Sequence, residues 1–272
     1  PNKIKLLFLT SEMAPFCSIS SLSKFSRTFS MILNDNPSIE IRTSQPKYGY
    51  ISERKYILRE VIRLKEVPIN FNSQERIMSI KSAFIPNTKV QVDFLLDDRC
   101  FGKTTPLLYK SKNGKPLKNN LENFSIFSLS LLESFKKLFW YPDVIICNDW
   151  QTALIPYFLK HRYENNENYK NIKSINLIHS INNYRKVDNN IFQKFDLDIK
   201  HKKNLDILSD SMSYFDLNIL IDNKEKELFK EIKKNKGLHS SYKKSKSSSF
   251  ILNEDANIDE WIEMVDHVIS KI

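Results

Sequence analysis

Near the start of the 272-residue chain stands Ile4-Lys5-Leu6-Leu7-Phe8-Leu9, a nearly continuous apolar run of strand length. A strand that is apolar at almost every position is buried on both faces, as in a parallel sheet. Residues 22–33 follow with apolar side chains at helical spacing, and Ile39 begins a second strand. This β-loop-α-β order predicts a Rossmann-like, doubly wound, mainly parallel α/β fold.

The rest of the chain continues the alternation of strands and helices. Residues 57–96 alternate between apolar and polar, which predicts two to four short inserted strands. The same patterns predict further strands at 142–147, 174–179 and 217–221 and helices at 123–139, 152–163, 205–215 and 224–234. We therefore interpret residues 1–232 as one domain.

Two segments follow that domain. Residues 233–249 are rich in lysine and serine, and this low complexity predicts a mobile surface loop. Residues 250–272 predict a short strand and a helix whose apolar residues share one face. Because an apolar face is costly to leave in water, we expect this helix to pack back on the domain.

The net charge of +10 is compatible with an anionic partner such as nucleic acid or a membrane surface. The lysines are scattered among acidic residues, so we expect no nucleic-acid partner. The apolar runs fall short of the roughly 20 residues that cross a bilayer, so we expect no membrane partner. The widely spaced Cys17, Cys100 and Cys147 predict reduced thiols, no metal site and a cytoplasmic protein.

Ligands of an open parallel α/β sheet bind outside the carboxyl ends of its strands. Polar segments follow predicted strands at residues 10–22, 148–151 and 179–183. Asp149 either acts at a site there or only caps the following helix. His179 either contributes to the same site or is a core histidine with its hydrogen bonds satisfied. Spacing alone leaves both alternatives open.

Four motifs stand in or next to these segments. They are KLLFLTSEMAPF at 5–16, PKYG at 46–49, PDVIICNDWQTAL at 142–154 and IHS at 178–180. Their order and spacing resemble those of the bacterial glycogen synthases and plant starch synthases, over roughly residues 3–221. This resemblance implies the GT-B architecture, in which two Rossmann-like domains enclose the active site, and it makes this chain the N-terminal half.

The family transfers glucose from ADP-glucose to the non-reducing end of an α-1,4-glucan with retention of configuration. By position in the matching motifs, the resemblance implies catalytic roles for Asp149 and His179. It implies substrate binding by Tyr48, Trp150 and Gln151. ADP-glucose and an α-glucan are then the expected partners, and no cofactor is implied.

One motif departs from the family where phosphate is bound. After Ala-Pro-Phe the family carries Lys-x-Gly-Gly-Leu, and here Ser18, Ser20 and Ser21 replace the lysine and the two glycines. Serine adds no charge and restricts the backbone that approaches phosphate. We still expect these three serines to lie at the substrate site. The family's His-x-His-Asp-Trp has Ile146 and Asn148 in place of its histidines.

Residues from Leu238 onward resemble nothing in the family's second domain. One hypothesis is glucan synthesis with a partner chain that supplies that domain. The rival hypothesis is a non-catalytic pseudo-enzyme that binds a glucan or a protein, and a third is a different small ligand on the same fold. One half of a cleft does not preorganise charge around a leaving diphosphate. For the chain without a partner, the residues therefore favour the pseudo-enzyme hypothesis.

Overall fold

The computed structural model describes residues 3–188, 190–200 and 204–272. Its strands are β1 (Ile4–Leu9), β2 (Ile39–Pro46), β3 (Arg59–Glu60), β4 (Val67–Phe71), β5 (Gln74–Phe84), β6 (Gln91–Leu96), β7 (Val144–Asn148), β8 (Lys173–Ile178), β9 (Lys186–Val187), β10 (Leu205–Asp206), β11 (Leu217–Asp222) and β12 (Ser247–Ile251). Its α-helices are α1 (Ser21–Asp35), α2 (Glu53–Tyr56), α3 (Asn120–Leu138), α4 (Ile155–Tyr157), α5 (Ile191–Lys194), α6 (Ile207–Ser211), α7 (Glu227–Lys234), α8 (Lys236–Lys244) and α9 (Ile258–Ile269). Among these residues, no helix is both long and apolar enough to span a bilayer.

The described residues form one sheet of ten strands and a two-stranded ribbon of β9 and β10. The order across the large sheet is β12-β11-β8-β7-β1-β2-β6-β5-β3, with β4 also paired to β5. From β12 to β6 every neighbouring pair is parallel, whereas β5 is antiparallel to β6, β4 and β3. The predicted Rossmann-like, mainly parallel α/β fold is therefore confirmed, and the inserted strands form its antiparallel edge.

The winding of the chain reverses between β1 and β7. From β1 the chain runs outward to β2 and β6, and β7 then pairs with the other side of β1. In a doubly wound sheet, such a reversal opens a crevice outside the carboxyl ends of the two strands. Glu12 and Asp149 stand in the segments that leave β1 and β7, so both lie at this crevice.

Helix α1 begins at the same edge. Ser20 caps it, and the Ser20 hydroxyl oxygen accepts a hydrogen bond from the backbone N–H of Leu22 at 3.3 Å. One side of the helix, which includes Phe25 and Phe29, is buried. Phe29 meets Phe8 of β1 edge-on, with ring centroids 5.1 Å apart. This packing holds α1 on the sheet and points its first turn at the carboxyl edge.

The lysine- and serine-rich segment 233–249 is regular structure, which corrects the predicted loop. The end of α7, all of α8 and the first residues of β12 occupy it. The Asn235 side chain caps α8 by accepting a hydrogen bond from the N–H of Leu238 at 3.1 Å. Leu238 is fully buried. The Asn235 cap and the buried Leu238 side chain thus hold α8 in place, although the sequence of this segment shows no apolar periodicity.

Helix α9 packs against α1. A capping box begins the helix, and its buried side chains are Met264, Val265 and Val268. The half-buried Trp261 lies beside Phe25 of α1, with ring centroids 5.4 Å apart. Helix α9 thus extends the wall that α1 forms along the carboxyl edge of the sheet.

Candidate functional site

A cavity of about 590 Å³ lies outside the carboxyl ends of β8 and β11, beside the first turn of α1. Its walls come from α1, α7, α9 and the segments that follow β8, β11 and β12. Phe25 contacts two other rings of the lining. Its ring centroid is 4.4 Å from that of His179 and 5.4 Å from that of Trp261. The cavity therefore has an aromatic wall.

The cavity lining is acidic, although the whole chain carries a net charge of +10. Among the described lining residues, the carboxylates belong to Asp222, Glu227, Glu231 and Glu254, and the one amine to Lys24. Carboxylates accept hydrogen bonds and repel anions. Within the described chain, no group of three or more His, Cys, Asp or Glu side chains is placed to hold a metal ion. The lining thus suits a ligand rich in hydroxyl donors and opposes a diphosphate.

Asp149 follows β7 directly, and its carboxylate binds the segment that follows β8. Its Oδ1 accepts from the backbone N–H of His179 at 2.7 Å and of Ser180 at 3.3 Å, and its Oδ2 accepts from the Ser180 hydroxyl at 3.2 Å. Burial raises the pKa of this carboxyl to about 7. The side chain caps nothing in the described turn at Trp150–Thr152, so the helix-cap alternative is wrong. The geometry supports a positioning role for Asp149.

His179 is half-buried and lines the cavity. Its Nε2 lies 2.7 Å from the side-chain oxygen of Asn148, whose amide nitrogen donates to the Leu9 carbonyl at 2.8 Å. Burial lowers the pKa of the imidazole to about 3, so the ring is neutral at physiological pH. Of the two residues with implied catalytic roles, His179 lines the cavity and Asp149 does not.

Glu12 occupies the segment after β1 and is only 1% exposed. Its Oε2 accepts from the backbone N–H of Ser20 at 2.8 Å and of Ile19 at 3.3 Å. The Tyr109 hydroxyl donates to Oε1 at 3.0 Å. Backbone N–H groups at the start of a helix are the usual donors to phosphate. Here the carboxylate of Glu12 accepts hydrogen bonds from the backbone N–H groups of Ile19 and Ser20. These two residues belong to the segment where the resemblance places phosphate binding.

Asp222 repeats this arrangement at the end of β11. Its Oδ1 accepts from the N–H of Leu228 and its Oδ2 from the N–H of Phe229, both at 3.0 Å. These N–H groups belong to the first turn of α7, which would otherwise attract an anion. In the described chain, Glu12, Asp149 and Asp222 thus each bind backbone N–H groups at the carboxyl edge.

Three residues with implied substrate contacts are enclosed by protein instead. Tyr48, Trp150 and Gln151 are 1%, 0% and 3% exposed. The Tyr48 hydroxyl donates to the carbonyl of Ser11 at 2.6 Å, and the Gln151 amide donates to the hydroxyl of Tyr109 at 3.2 Å. The ring of Trp150 packs edge-on against that of Tyr109. In the structure these side chains support the segments after β1 and β7, and none of the three lines the cavity.

Ser18, Ser20 and Ser21 are exposed in the turn that enters α1. Ser21 lines the cavity, whereas Ser18 and Ser20 do not. The Ser20 hydroxyl donates to Oε2 of Glu12 at 3.0 Å and also caps α1. Of the three serines, the structure therefore brings Ser21 to the cavity and gives Ser20 a role in holding the turn.

Sequence reasoning placed residues 10–22 at this edge without singling out Glu12, and it missed Asp222 and Trp261. Glu12 and Asp222 carry the signal that pointed to Asp149, a charged side chain at the end of a buried strand. Trp261 stands on the apolar face of α9, where an aromatic residue usually belongs to the core. Only its position beside Phe25 shows that it also lines the cavity.

A family model described as the starch synthase catalytic domain matches residues 5–224. The glycogen synthase of Chlorobium limicola is 33% identical over 193 residues, which is 71% of this chain and 39% of that protein. The glycogen synthase of Chlorobaculum parvum is 29% identical over 219 residues, which is 78% of this chain and 44% of that protein. The chain therefore spans less than half the length of these curated relatives.

Among solved structures, the catalytic domain of Starch Synthase IV from Arabidopsis thaliana, bound to ADP and acarbose, matches with a TM-score of 0.77. The match covers 93% of this chain and 52% of that one at 17% sequence identity, so it bears on the fold alone. It supports the assignment of one half of a GT-B fold. Since the family model covers most of the sequence, the chain belongs to the starch synthase catalytic domain family.

Proposed function

We propose that the chain binds an α-1,4-glucan, or a short oligosaccharide of the same linkage, in the cavity beside His179. The supporting observation is the lining, where the ring of Trp261 stands with the carboxylates of Glu231 and Glu254. A sugar offers C–H faces that pack on aromatic rings and hydroxyl groups that donate to carboxylates. The volume of about 590 Å³ lies within the roughly 300–1,000 Å³ of small-molecule sites.

Turnover of ADP-glucose by this chain alone is not part of the proposal. The cavity has one amine against four carboxylates among its described lining residues. Internal carboxylates also hold the N–H groups of Ser20 and Phe229. Each charge-assisted phosphate contact that is absent forfeits about 1.5–3 kcal/mol. We therefore propose an affinity for ADP-glucose in the millimolar range or weaker.

We propose a second function, which family membership supports: glucose transfer from ADP-glucose to a glucan when another polypeptide segment supplies cationic groups. Asp149 and His179, which the resemblance marks as catalytic, are both present and in contact. The test is incorporation of labelled glucose into glycogen, with and without added second domain of a relative. Cys17, Cys100 and Cys147 are free thiols, and we place either function in the cytoplasm.

Tryptophan fluorescence tests the glucan-binding proposal. Maltoheptaose is added up to about 10 mM, a concentration that detects dissociation constants in the millimolar range. We expect a saturable change in emission that disappears in Trp261→Phe. The matched control is Trp140→Phe, which removes an indole that does not line the cavity and should keep the change. Absence of any change in the unmodified chain, together with no co-sedimentation with glycogen, contradicts the proposal.

A further inference from the structure

Asn148 is the last residue of β7 and is 1% exposed. Its amide nitrogen donates to the carbonyl oxygen of Leu9 at 2.8 Å. Because a carbonyl oxygen only accepts hydrogen bonds, this contact requires Nδ2, and not Oδ1, to face Leu9. The amide oxygen of Asn148 is therefore the atom that faces His179.

This orientation determines where the ring proton of His179 lies. Nε2 of the ring is 2.7 Å from Oδ1 of Asn148, an atom that only accepts, so Nε2 carries the proton. In a neutral imidazole, the other nitrogen then holds the lone pair. Nδ1 makes no hydrogen bond to any residue that the structure describes, and His179 lines the cavity. Burial lowers the pKa of the ring to about 3, which keeps the imidazole neutral.

We propose that Asn148 is a positioning residue that holds His179 as a hydrogen-bond acceptor toward the cavity. A ligand at this point must then offer an O–H or N–H donor to Nδ1, which a sugar hydroxyl does and an ionised phosphate does not. The sugar part of this inference rests on the proposed function. The resemblance puts a histidine at position 148, and a histidine nitrogen can donate or accept. An asparagine oxygen permits one tautomer of His179 only.

The first test observes the tautomer directly in the unmodified chain. Nitrogen-15 NMR distinguishes a protonated ring nitrogen from one with a lone pair, and the spectrum of His179→Gln assigns the signal among the five histidines. We expect a neutral ring with the proton on Nε2 from pH 6 to pH 8. A proton on Nδ1, or an imidazolium at pH 7, overturns the proposal without any ligand or variant of Asn148.

The second test changes Asn148. In Asn148→Leu we expect the single tautomer to be lost, because no acceptor faces Nε2. Asn148→Asp keeps an oxygen there, so we expect Nε2–H to persist and the pKa of the ring to rise. The matched control is Asn218→Leu, since Asn218 is also buried and its amide also donates to a backbone carbonyl, that of Met212 at 2.9 Å.

If Asn148→Leu retains the tautomer, or if Asn218→Leu loses it equally, Asn148 does not position His179. If Asn148→Leu does not fold, the Asp variant and the unmodified chain still decide.

The third test measures binding of maltoheptaose by chemical-shift titration. We expect Asn148→Leu to weaken binding about threefold to tenfold, as for the loss of one hydrogen bond, and Asn218→Leu to leave it unchanged. Equal affinity in both variants overturns the positioning role. If the unmodified chain shows the expected tautomer and binds no maltooligosaccharide, the glucan-binding proposal fails, while the assignment of Nδ1 as the acceptor stands.

Discussion

The carboxylate of Glu12 binds both the backbone N–H and the hydroxyl of Ser20, with distances to Oε2 of 2.8 Å and 3.0 Å. Ser20 is at the same time the N-cap of α1. A negative charge supplied by the chain therefore lies where the first turn of α1 would otherwise receive an anion. The contact between Glu12 and Ser20 therefore stabilises the turn at residues 18–21, where the family carries its phosphate-binding motif.

Glu12→Gln tests the strength of that contact. The change keeps the shape of the side chain but removes its charge, and hydrogen bonds to charged groups contribute about 1.5–3 kcal/mol. We expect the free energy of unfolding to fall by about 1–3 kcal/mol, measured by urea denaturation. The matched control is Glu254→Gln at an exposed position, which should change stability by less than about 0.5 kcal/mol. An equal effect of the two variants means that the Glu12 contact does not stabilise the turn.

Asp149→Asn tests the buried carboxyl through its pH dependence. The pKa of Asp149 is about 7 in the folded chain against an ordinary value of 3.8, so the folded chain holds the extra proton between these values. The contribution of Asp149 to the free energy of unfolding therefore falls as the pH rises through this window and is lowest above pH 7. We expect Asp149→Asn to be more stable than the unmodified chain by about 1–3 kcal/mol at pH 8 and to lose this advantage near pH 4.

His179 makes the free energy of unfolding change with pH in the opposite direction, since its pKa of about 3 lies below the ordinary value of 6.5. Its contribution to stability is present above pH 6.5 and is lost as the pH falls toward 3. In Asp149→Asn this slope should remain, so stability should rise with pH up to about 6.5. Urea denaturation at several pH values measures both slopes. A constant difference between the two proteins at every pH contradicts the raised pKa of Asp149.

Met264→Ala tests the packing of α9 on the domain. Met264 is fully buried, and truncation of such a side chain to alanine costs about 2–5 kcal/mol. We expect a loss in that range by chemical denaturation. Glu263→Ala, one residue away on the exposed side, is the matched control and should stay within about 0.5 kcal/mol. If both variants keep the stability of the unmodified chain, α9 does not belong to the core.

The central strands could be predicted from the sequence because their pattern is local. Ile4–Leu9 and Val144–Asn148 are apolar almost throughout, and these strands are largely buried on both faces. Helix α8 could not be predicted this way. Its burial depends on Leu238 and its start on Asn235, and two residues among lysines and serines give no visible period.

The contacts of the site are long-range, so no local pattern reports them. Asp149 and His179 are 30 residues apart in the chain, and Glu12 and Tyr109 are 97 apart. The sequence could place Asp149 and His179 at one edge of the sheet because both follow buried strands. It could not show which carboxylate binds which N–H group. For the same reason, the burial of Trp150 became visible only once the rings around it were placed.

Ser18→Lys tests whether a cation restores affinity for a diphosphate. Ser18 is exposed in the turn before α1, and the change leaves the contacts of Ser20 with Glu12 intact. One charge-assisted contact is worth about 1.5–3 kcal/mol, so ADP should bind about tenfold more tightly at low salt. Ser213→Lys adds the same charge at an exposed position outside the cavity lining and should leave ADP binding unchanged. Equal tightening by both variants indicates a general charge effect.

The measurement that bears most directly on the central claim is a calorimetric titration of the unmodified chain with maltoheptaose and with ADP-glucose in one buffer. The cavity has four carboxylates and one amine among its described lining residues, and internal carboxylates hold the nearby N–H groups. We predict saturable binding of maltoheptaose and a dissociation constant for ADP-glucose in the millimolar range or weaker. A low-micromolar dissociation constant for ADP-glucose that is lost in His179→Ala, with no binding of maltoheptaose, would contradict the account.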